Sequence, residues 1–459
     1  MAQANTIDVS QLIDERKMNA FNAQLVILSF FVATLDGYDI GAVAFAAPHL
    51  IKAWAVTDTS WLKWVIVASL AGILFGSPGF GYIGDRFGRK IAIIGSCLTF
   101  GVFTLAATAA TSMPQLLVLR FFAGIGIGGL FPNIIAINAE FAPQRVRATM
   151  IILMFTGVTF GGALPGAVSA WAVPYYGWQI LFVLGGVLPI AICLAVYLWM
   201  PESIKFLVLK AQARDVVVRL VQRLSPELAV GPDTRFVIRE EKVQRFSLPL
   251  LFKGGLRHLT PLLWLLFVCN QMVFYVANSW MPTVLSTVNV SIGSAAIVTS
   301  LFQIGGTVGG VLLSLSLNKR GIAPVAVLFL ASLPIVGSIG FSTGSVPLLM
   351  TLAFLAGFCL LGVQFGLNAT SAMLYPTAFR SNGSGWAFGI GRFGSISGPL
   401  VWGYLIDMKL PLPELFLLLL IPLGIGTVAS FVMARLYSVE GHAASLLQTE
   451  TAGGVPAGE

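Results

Sequence analysis

The sequence predicts an all-α integral membrane protein of twelve spanning helices, arranged as two pseudo-symmetric six-helix bundles around a central cavity. Three observations predict it. Of 459 residues, 57% are hydrophobic and only 10% charged, with a mean hydropathy of +0.88, more apolar surface than a soluble domain can bury. Apolar segments of the roughly 20 residues a span requires are centred near residues 35, 72, 100, 127, 160, 188, 271, 305, 332, 358, 395 and 424. Finally, landmarks recur 233 residues apart: Gly88 with Gly321, Pro143 with Pro376 and Arg147 with Arg380. A common offset is the mark of duplicated halves. Lipid demands internally satisfied backbones, which helices provide, and nothing alternates over ten-residue segments as a membrane β-barrel would.

The elements follow in order. Residues 1–20 are polar, mixed in charge and without the pattern of a cleaved signal, so the first span is expected to remain as its own anchor. Residues 21–200 form the first bundle. Residues 201–258 form a polar linker whose first part, Glu202 to Leu224, spaces Phe206, Leu207, Leu209, Val216, Val217 and Leu220 as an amphipathic helix at a membrane face. Residues 259–436 form the second bundle, and 437–459 a tail.

The net charge is +8, and its placement excludes a nucleic-acid patch. Arg16, Lys17, Arg86, Arg89, Lys90, Arg145, Arg147, Lys319, Arg320, Arg380, Arg435 and the basic linker residues, Arg239 and Lys242 among them, fall on one side of the spans; Lys52, Lys63 and Lys409 fall on the other. That asymmetry puts both termini in the cytoplasm and makes the lipid bilayer the large partner, in a plasma membrane of the bacterial inner-membrane type. Cys97, Cys193, Cys269 and Cys359 lie one per span and read as packing residues. His49, His258 and His442 are scattered, so neither a metal nor another cofactor is expected. Gly124 to Gly129 satisfies a dinucleotide-binding pattern but follows no strand; like Gly157/Gly161, Gly162/Gly166 and Gly305/Gly309 it reads as close helix packing.

The chemistry lies in the ionisable residues inside spans. A carboxylate at mid-span costs about 2.5–3.5 kcal/mol on insertion scales, so Asp36 and Asp39 must face partners or a water path. Counting about 1.5 Å per residue, Asp39 and Arg120 fall at similar depth in the outer half of the bilayer and are expected to pair. A guanidinium favours the ionised carboxyl and burial disfavours it, so access of water or substrate can swing the proton affinity, as proton coupling requires; a static structural ion pair is the alternative. Asp36, a turn away, stays open between a second proton carrier, a substrate-orienting acceptor and a packing group.

The second half does not repeat that pair. Its cation, Arg392, lies among small residues from Gly389 to Ser395, with no carboxylate at matching depth in that half of the sequence. A carboxylate brought by the substrate, held bidentately, accounts for it; backbone carbonyls loosened by glycine are the alternative. Asn133, Asn138, Asn270, Gln271, Tyr275, Gln303, Gln364 and Asn368 add hydrogen-bond capacity at cavity-compatible positions. Trp386 and Phe393, with Trp280, Phe302 and Phe365, add flat apolar surface. Gly84 to Lys90, holding Asp85, Arg86 and Arg89, forms a tight turn able to latch onto a neighbouring helix end, with Glu140, Arg145 and Arg147 on the same face.

These segments resemble the major facilitator superfamily and, within it, the aromatic acid:proton symporter family, over roughly residues 20 to 437. Gly84 to Lys90 resembles the superfamily's loop signature. Asp36-Gly37-Tyr38-Asp39 with Ala46-Ala47-Pro48 resembles the family's first-helix motif, Leu119-Arg120 through Glu140-Phe141-Ala142-Pro143 its fourth helix, and Tyr375-Pro376-Thr377 through Gly391-Arg392-Phe393-Gly394 its tenth and eleventh. Proton-coupled sugar porters share an Asp and an Arg that map onto Asp39 and Arg120. The chain departs from the pattern at Asn318-Lys319-Arg320-Gly321, which lacks the aspartate, and at Met373-Leu374, where related transporters often carry a glutamate.

The resemblance implies a non-enzymatic, proton-driven importer of aromatic or aromatic-derived carboxylates such as benzoate or hydroxybenzoate, working by alternating access as a monomer. A sugar or polyol porter would leave Arg392 without a role, a drug-type exporter would drive efflux, and a non-transporting receptor would need a signalling surface that the short tail does not offer.

Overall fold

The computed structural model describes residues 6–54, 60–210, 214–225, 231, 234–237, 248–287, 290–375 and 380–452. Arg239, Lys242, Pro376 and Thr377 lie outside these residues, as do the side chains of Lys319, Arg320, Arg380 and His442.

The described chain is almost entirely helical, and each of the twelve expected centres falls within a helix. In order these are α1 (Val9–Glu15), α2 (Ala20–Ala53), α3 (Ser60–Phe87), α4 (Arg89–Ala106), α5 (Met113–Gly128), α6 (Leu130–Phe141), α7 (Gln144–Trp171), α8 (Val173–Tyr176) and α9 (Gln179–Trp199). There follow α10 (Ile204–Leu209), α11 (Arg214–Leu224), α12 (Leu256–Thr287), α13 (Ile292–Arg320), α14 (Ala323–Ile339), α15 (Val346–Leu374), α16 (Arg380–Asp407), α17 (Leu412–Leu418) and α18 (Leu420–Ala452). Among the described residues, ten helical stretches are long and apolar enough to cross a membrane; α14 is shorter, at 17 residues. The 28 residues of α16 extend about 42 Å, but its glycines, serines and Arg392 lower its apolarity.

Three departures from the sequence expectation stand out. The fourth span is two helices, broken at Gly129, whose N–H bonds back to Gly126 and Ile127. The linker's single amphipathic helix is two: Ser203 caps α10 by accepting from Phe206 N at 3.0 Å, and α11 buries Val217, Leu220, Val221 and Leu224 on one face. A short parallel pairing joins β1 (Thr6–Asp8) to β2 (Arg235–Val237), with Ile7 opposite Phe236; three-residue strands carry too little periodicity to be read.

The chain divides into two compact units: residues 1–242 with 278–303, and residues 243–277 with 304–459. Residues 278–303, which the sequence boundaries place in the second bundle, thus pack in the first unit. There α2 lies on α7, α3 on α5, and α4 on both α5 and α9. The α2–α7 approach is set by glycine: a Cβ on Gly37 would sit 1.9 Å from Val158 O, and one on Gly161 2.0 Å from Thr34 O. In the second unit α14 packs on α15 and α18, and α15 on α16.

Candidate functional site

Asp39 on α2 and Arg120 on α5 meet as an ion pair through Oδ2 and Nη2, with side chains 2% and 0% exposed. Ser69 on α3 completes the arrangement. Its hydroxyl accepts from Arg120 Nε at 3.1 Å and Nη2 at 2.8 Å, and donates to Arg120 O at 3.2 Å. The guanidinium carbon lies 5.8 Å from the ring centre of Phe182 on α9, and Tyr38 donates to Leu181 O at 3.0 Å, tying α2 to that helix. Removing one partner of such a buried pair strands the other charge, at a cost of about 3–5 kcal/mol. The remaining two atoms of the pair, Asp39 Oδ1 and Arg120 Nη1, are buried without hydrogen-bond partners among the described residues.

Asp36 is buried on the same helix. Gln303, from the part of α13 in this unit, donates to Asn278 Oδ1 at 2.5 Å and lies where a Cβ on Gly162 would approach its Nε2 to 2.5 Å; Ser300 donates to Ala163 O at 3.1 Å. Lys63, expected at the outer boundary, is a buried residue of α3. Asn138 donates to Ser29 Oγ at 2.6 Å and Ile134 O at 2.7 Å. Asn133 is better read as structural than as a ligand group: it is fully buried and donates to Gly129 O at 2.8 Å and Phe80 O at 3.2 Å. Through Phe80 it braces α6 against α3 beside the break in the fourth span.

The second unit gathers the other candidates. Arg392 on α16 is half-buried and donates from Nη1 to the Tyr275 hydroxyl of α12 at 3.0 Å. Gln271 lies under Gly391, where a Cβ would come within 2.7 Å of its Nε2. Asn270 donates to Gln364 Oε1 at 3.0 Å, and Gln364 to Asn368 Oδ1 at 3.2 Å, an amide chain from α12 along α15. Asn270 Oδ1 and Gln271 Oε1 are buried acceptors without donors among the described residues. Trp386 stacks on Trp264 with ring centres 6.2 Å apart. Phe393, expected as a ring wall, is 60% exposed. This set offers a cation, a phenol, unsatisfied amide oxygens and a flat aromatic surface.

The expected latch is reorganised. Asp85 and Arg89 form an exposed ion pair one turn apart, of the kind worth little in water. Arg86 donates to the Tyr82 hydroxyl at 2.6 Å, and its backbone oxygen accepts from Lys210 Nζ at 2.5 Å. Glu140 does not pair with Arg145 or Arg147: it accepts from the Ser203 hydroxyl. Arg145 donates to Arg16 O at 2.8 Å, and Arg147 lies 3.7 Å from Asp14, so both turn to the N-terminal segment.

Sequence reasoning missed Ser69, Phe182 and Glu202. A serine or phenylalanine inside a span carries no signal of its own. Glu202 does, as an acid directly after the sixth span in Met200-Pro201-Glu202-Ser203. It accepts from Lys90 N at 3.2 Å and Ser203 N at 2.8 Å, so it serves the free N–H groups at the start of α4. Gly88 before them has φ +113°, and a Cβ there would be 2.3 Å from Glu202 Oε2; only glycine allows this turn. Burial pushes the Glu202 carboxyl above its ordinary range, against the pull of the Ser203, Lys90 and Arg89 N–H groups.

Residues 29–342 match the sequence model of the Major Facilitator Superfamily. The chain is 34% identical to the 4-hydroxybenzoate transporter PcaK of Pseudomonas putida, over 93% of this chain and 96% of that protein. To the gallate transporter of Pseudomonas putida it is 35% identical, over 95% and 96%. The crystal structure of a D-xylose-proton symporter superposes with a TM-score of 0.71 at 18% identity, covering 90% of this chain and 97% of that one, a likeness of fold. On these matches the chain belongs to the Major Facilitator Superfamily and, within it, to the aromatic acid:proton symporter family, and is a membrane transporter rather than an enzyme.

Proposed function

We propose that the chain imports benzoate-type anions bearing ring hydroxyls together with protons, by alternating access, as a monomer in a bacterial inner membrane with both termini cytoplasmic. The observation that carries this reading is the Arg392 cluster. A guanidinium beside a phenol hydroxyl at 3.0 Å suits a carboxylate, while the buried oxygens of Asn270 and Gln271 suit hydroxyl donors on the ring, because an acceptor left without a donor is costly. The relatives named for 4-hydroxybenzoate and gallate carry ligands with both groups. Asn270, Gln271, Tyr275, Gln364 and Asn368 form the polar wall and Trp386 the ring surface; Gln303 and Phe393 remain proposed contacts.

Asp39 is the proton carrier in this reading, and Arg120 the group that senses its charge. Protonation removes the carboxylate's pull on Arg120, the substrate engages Arg392, and release of both resets the pair. Moving an anion inward against an inside-negative potential costs about 2.3 kcal/mol per 100 mV. One proton per monoanion makes the cycle electroneutral, and a second, on Asp36, would add the voltage as a driving force. Asp85, Arg86 and Arg89, with Glu140, Arg145 and Arg147, supply contacts that break and reform as the carrier changes state.

Uptake of labelled 4-hydroxybenzoate into proteoliposomes under an imposed pH gradient tests both parts. Arg392→Ala should abolish uptake and Asp39→Asn should abolish accumulation. Undiminished accumulation by Asp39→Asn overturns the coupling role; full uptake by Arg392→Ala overturns the substrate site.

A further inference from the structure

Beside the ion pair lies a cavity of about 20 Å³, lined by Asp39, Ser69 and Ser279 and by apolar side chains that include Ile66, Leu70 and Ile73. One water requires about 10–15 Å³ and at least two polar partners, so the cavity has room for one. Its polar groups are not equivalent. The Ser69 hydroxyl already accepts twice from Arg120 and donates to Arg120 O, which uses its capacity. Asp39 Oδ2 is held by Arg120, whereas Asp39 Oδ1 is buried without a donor. Ser279, buried in the part of α12 that belongs to the first unit, brings the other hydroxyl to the cavity.

We infer that this cavity binds one ordered water between Asp39 Oδ1 and the Ser279 hydroxyl, and that Ser279 positions that water as the last carrier of the proton to Asp39. The inference deepens the coupling reading above and rests on it. Oδ1 is the oxygen that takes the proton, because protonating Oδ2 would first require the Arg120 contact to break. When a proton reaches the water, an O–H bond of the hydronium breaks as the bond to Oδ1 forms. The electron pair stays on the water, which is left neutral, and the carboxylate becomes a carboxyl group. Ser69 keeps the guanidinium in place while its ionic partner is gone. The apolar remainder of the wall offers a second water no polar partner, so the route narrows to the one molecule that Ser279 orients.

Infrared difference spectroscopy of the reconstituted full chain on a pH step, in H₂¹⁶O and H₂¹⁸O, reads the water directly and needs no substrate. The expected result is an isotope-sensitive O–H stretch in the wild type, lost in Ser279→Val, whose methyl groups fill the cavity, and restored in Ser279→Thr. Ser279→Ala, the variant gentlest to the fold, should weaken the band and lower the ratio of pH-driven net uptake to substrate exchange up to about tenfold, the upper value of one neutral hydrogen bond. A wild type without the band, or a band that survives in Ser279→Val, overturns the inference. So does a fall of uptake and exchange in equal proportion in Ser279→Ala, which would assign Ser279 to packing. If the wild type carries no hydroxybenzoate, the substrate reading fails while the spectroscopic result still decides the water site.

Discussion

The two arginines inside spans occupy opposite kinds of surroundings. Arg120 is fully buried, with its charge answered by Asp39 and its geometry held by Ser69. Arg392 is half-buried, bonded to the neutral hydroxyl of Tyr275, beside buried amide oxygens and the 41%-exposed Trp386. In the proposed reading, the difference is how one chain separates two ligands. A site whose charge is cancelled internally can be disturbed cheaply only by the smallest ligand, a proton. In the same reading the Arg392 guanidinium, hydrogen-bonded to a phenol beside open amide acceptors, receives the carboxylate of an organic anion.

The largest expected effect breaks the first site. Arg120→Ala should destabilise the folded protein by about 3–5 kcal/mol, because it strands a buried carboxylate, and chemical unfolding in detergent should register it. Adding Asp39→Asn to that variant should recover much of the loss; recovery would show that charge cancellation, rather than packing, holds this region.

The next effect tests the second site. Arg392→Ala should weaken 4-hydroxybenzoate binding by roughly 10- to 100-fold, the worth of a hydrogen bond to a charged group, while leaving unfolding close to wild type; calorimetric titration beside the unfolding assay measures the contrast. Arg392→Lys should restore only part of the affinity, because an ammonium cannot form the planar fork.

A smaller change sharpens the division of labour inside that site. Gln271→Leu and Asn270→Leu should lower affinity for hydroxylated benzoates about tenfold and spare unsubstituted benzoate. Equal losses for both ligands would move the amides from ligand recognition to helix packing.

The smallest effect lies away from both arginines, at Glu202. Its folded carboxyl binds a proton more tightly than the ordinary value of 4.5. The folded state therefore holds more protons than the unfolded state between that value and the raised one, and stability must fall as pH rises through this window. Glu202→Gln should flatten the slope, which cannot exceed about 1.4 kcal/mol per pH unit for one proton. Thermal unfolding across pH 4 to 7, within about that range, checks the sign.

Much of the site was legible because charge in lipid is conspicuous. Asp39 and Arg120 could be paired from depth alone, since both are counted from polar boundaries along helices of fixed rise. Asn133 could not be placed that way. Its depth suits a cavity, but its rotation about the helix axis directs it to Phe80 and Gly129, and its duty is to brace α6 against α3 beside the helix break at Gly129. Glu140 likewise lies on the expected face, yet the backbone after the sixth span brings Ser203 to it before Arg145 or Arg147 can reach.

The sequence by itself determined the twelve helices, the long polar division between the halves and the identity of the stranded charges, because lipid punishes every exception to apolar composition. Tertiary structure alone decided which neutral groups serve those charges, Ser69 beneath Arg120, Ser279 beside Asp39 and Tyr275 against Arg392, and which acid, Glu202, serves the head of α4. A hydroxyl costs little inside a helix and leaves no mark on hydropathy, and its partner is chosen only when helices distant in sequence are brought side by side.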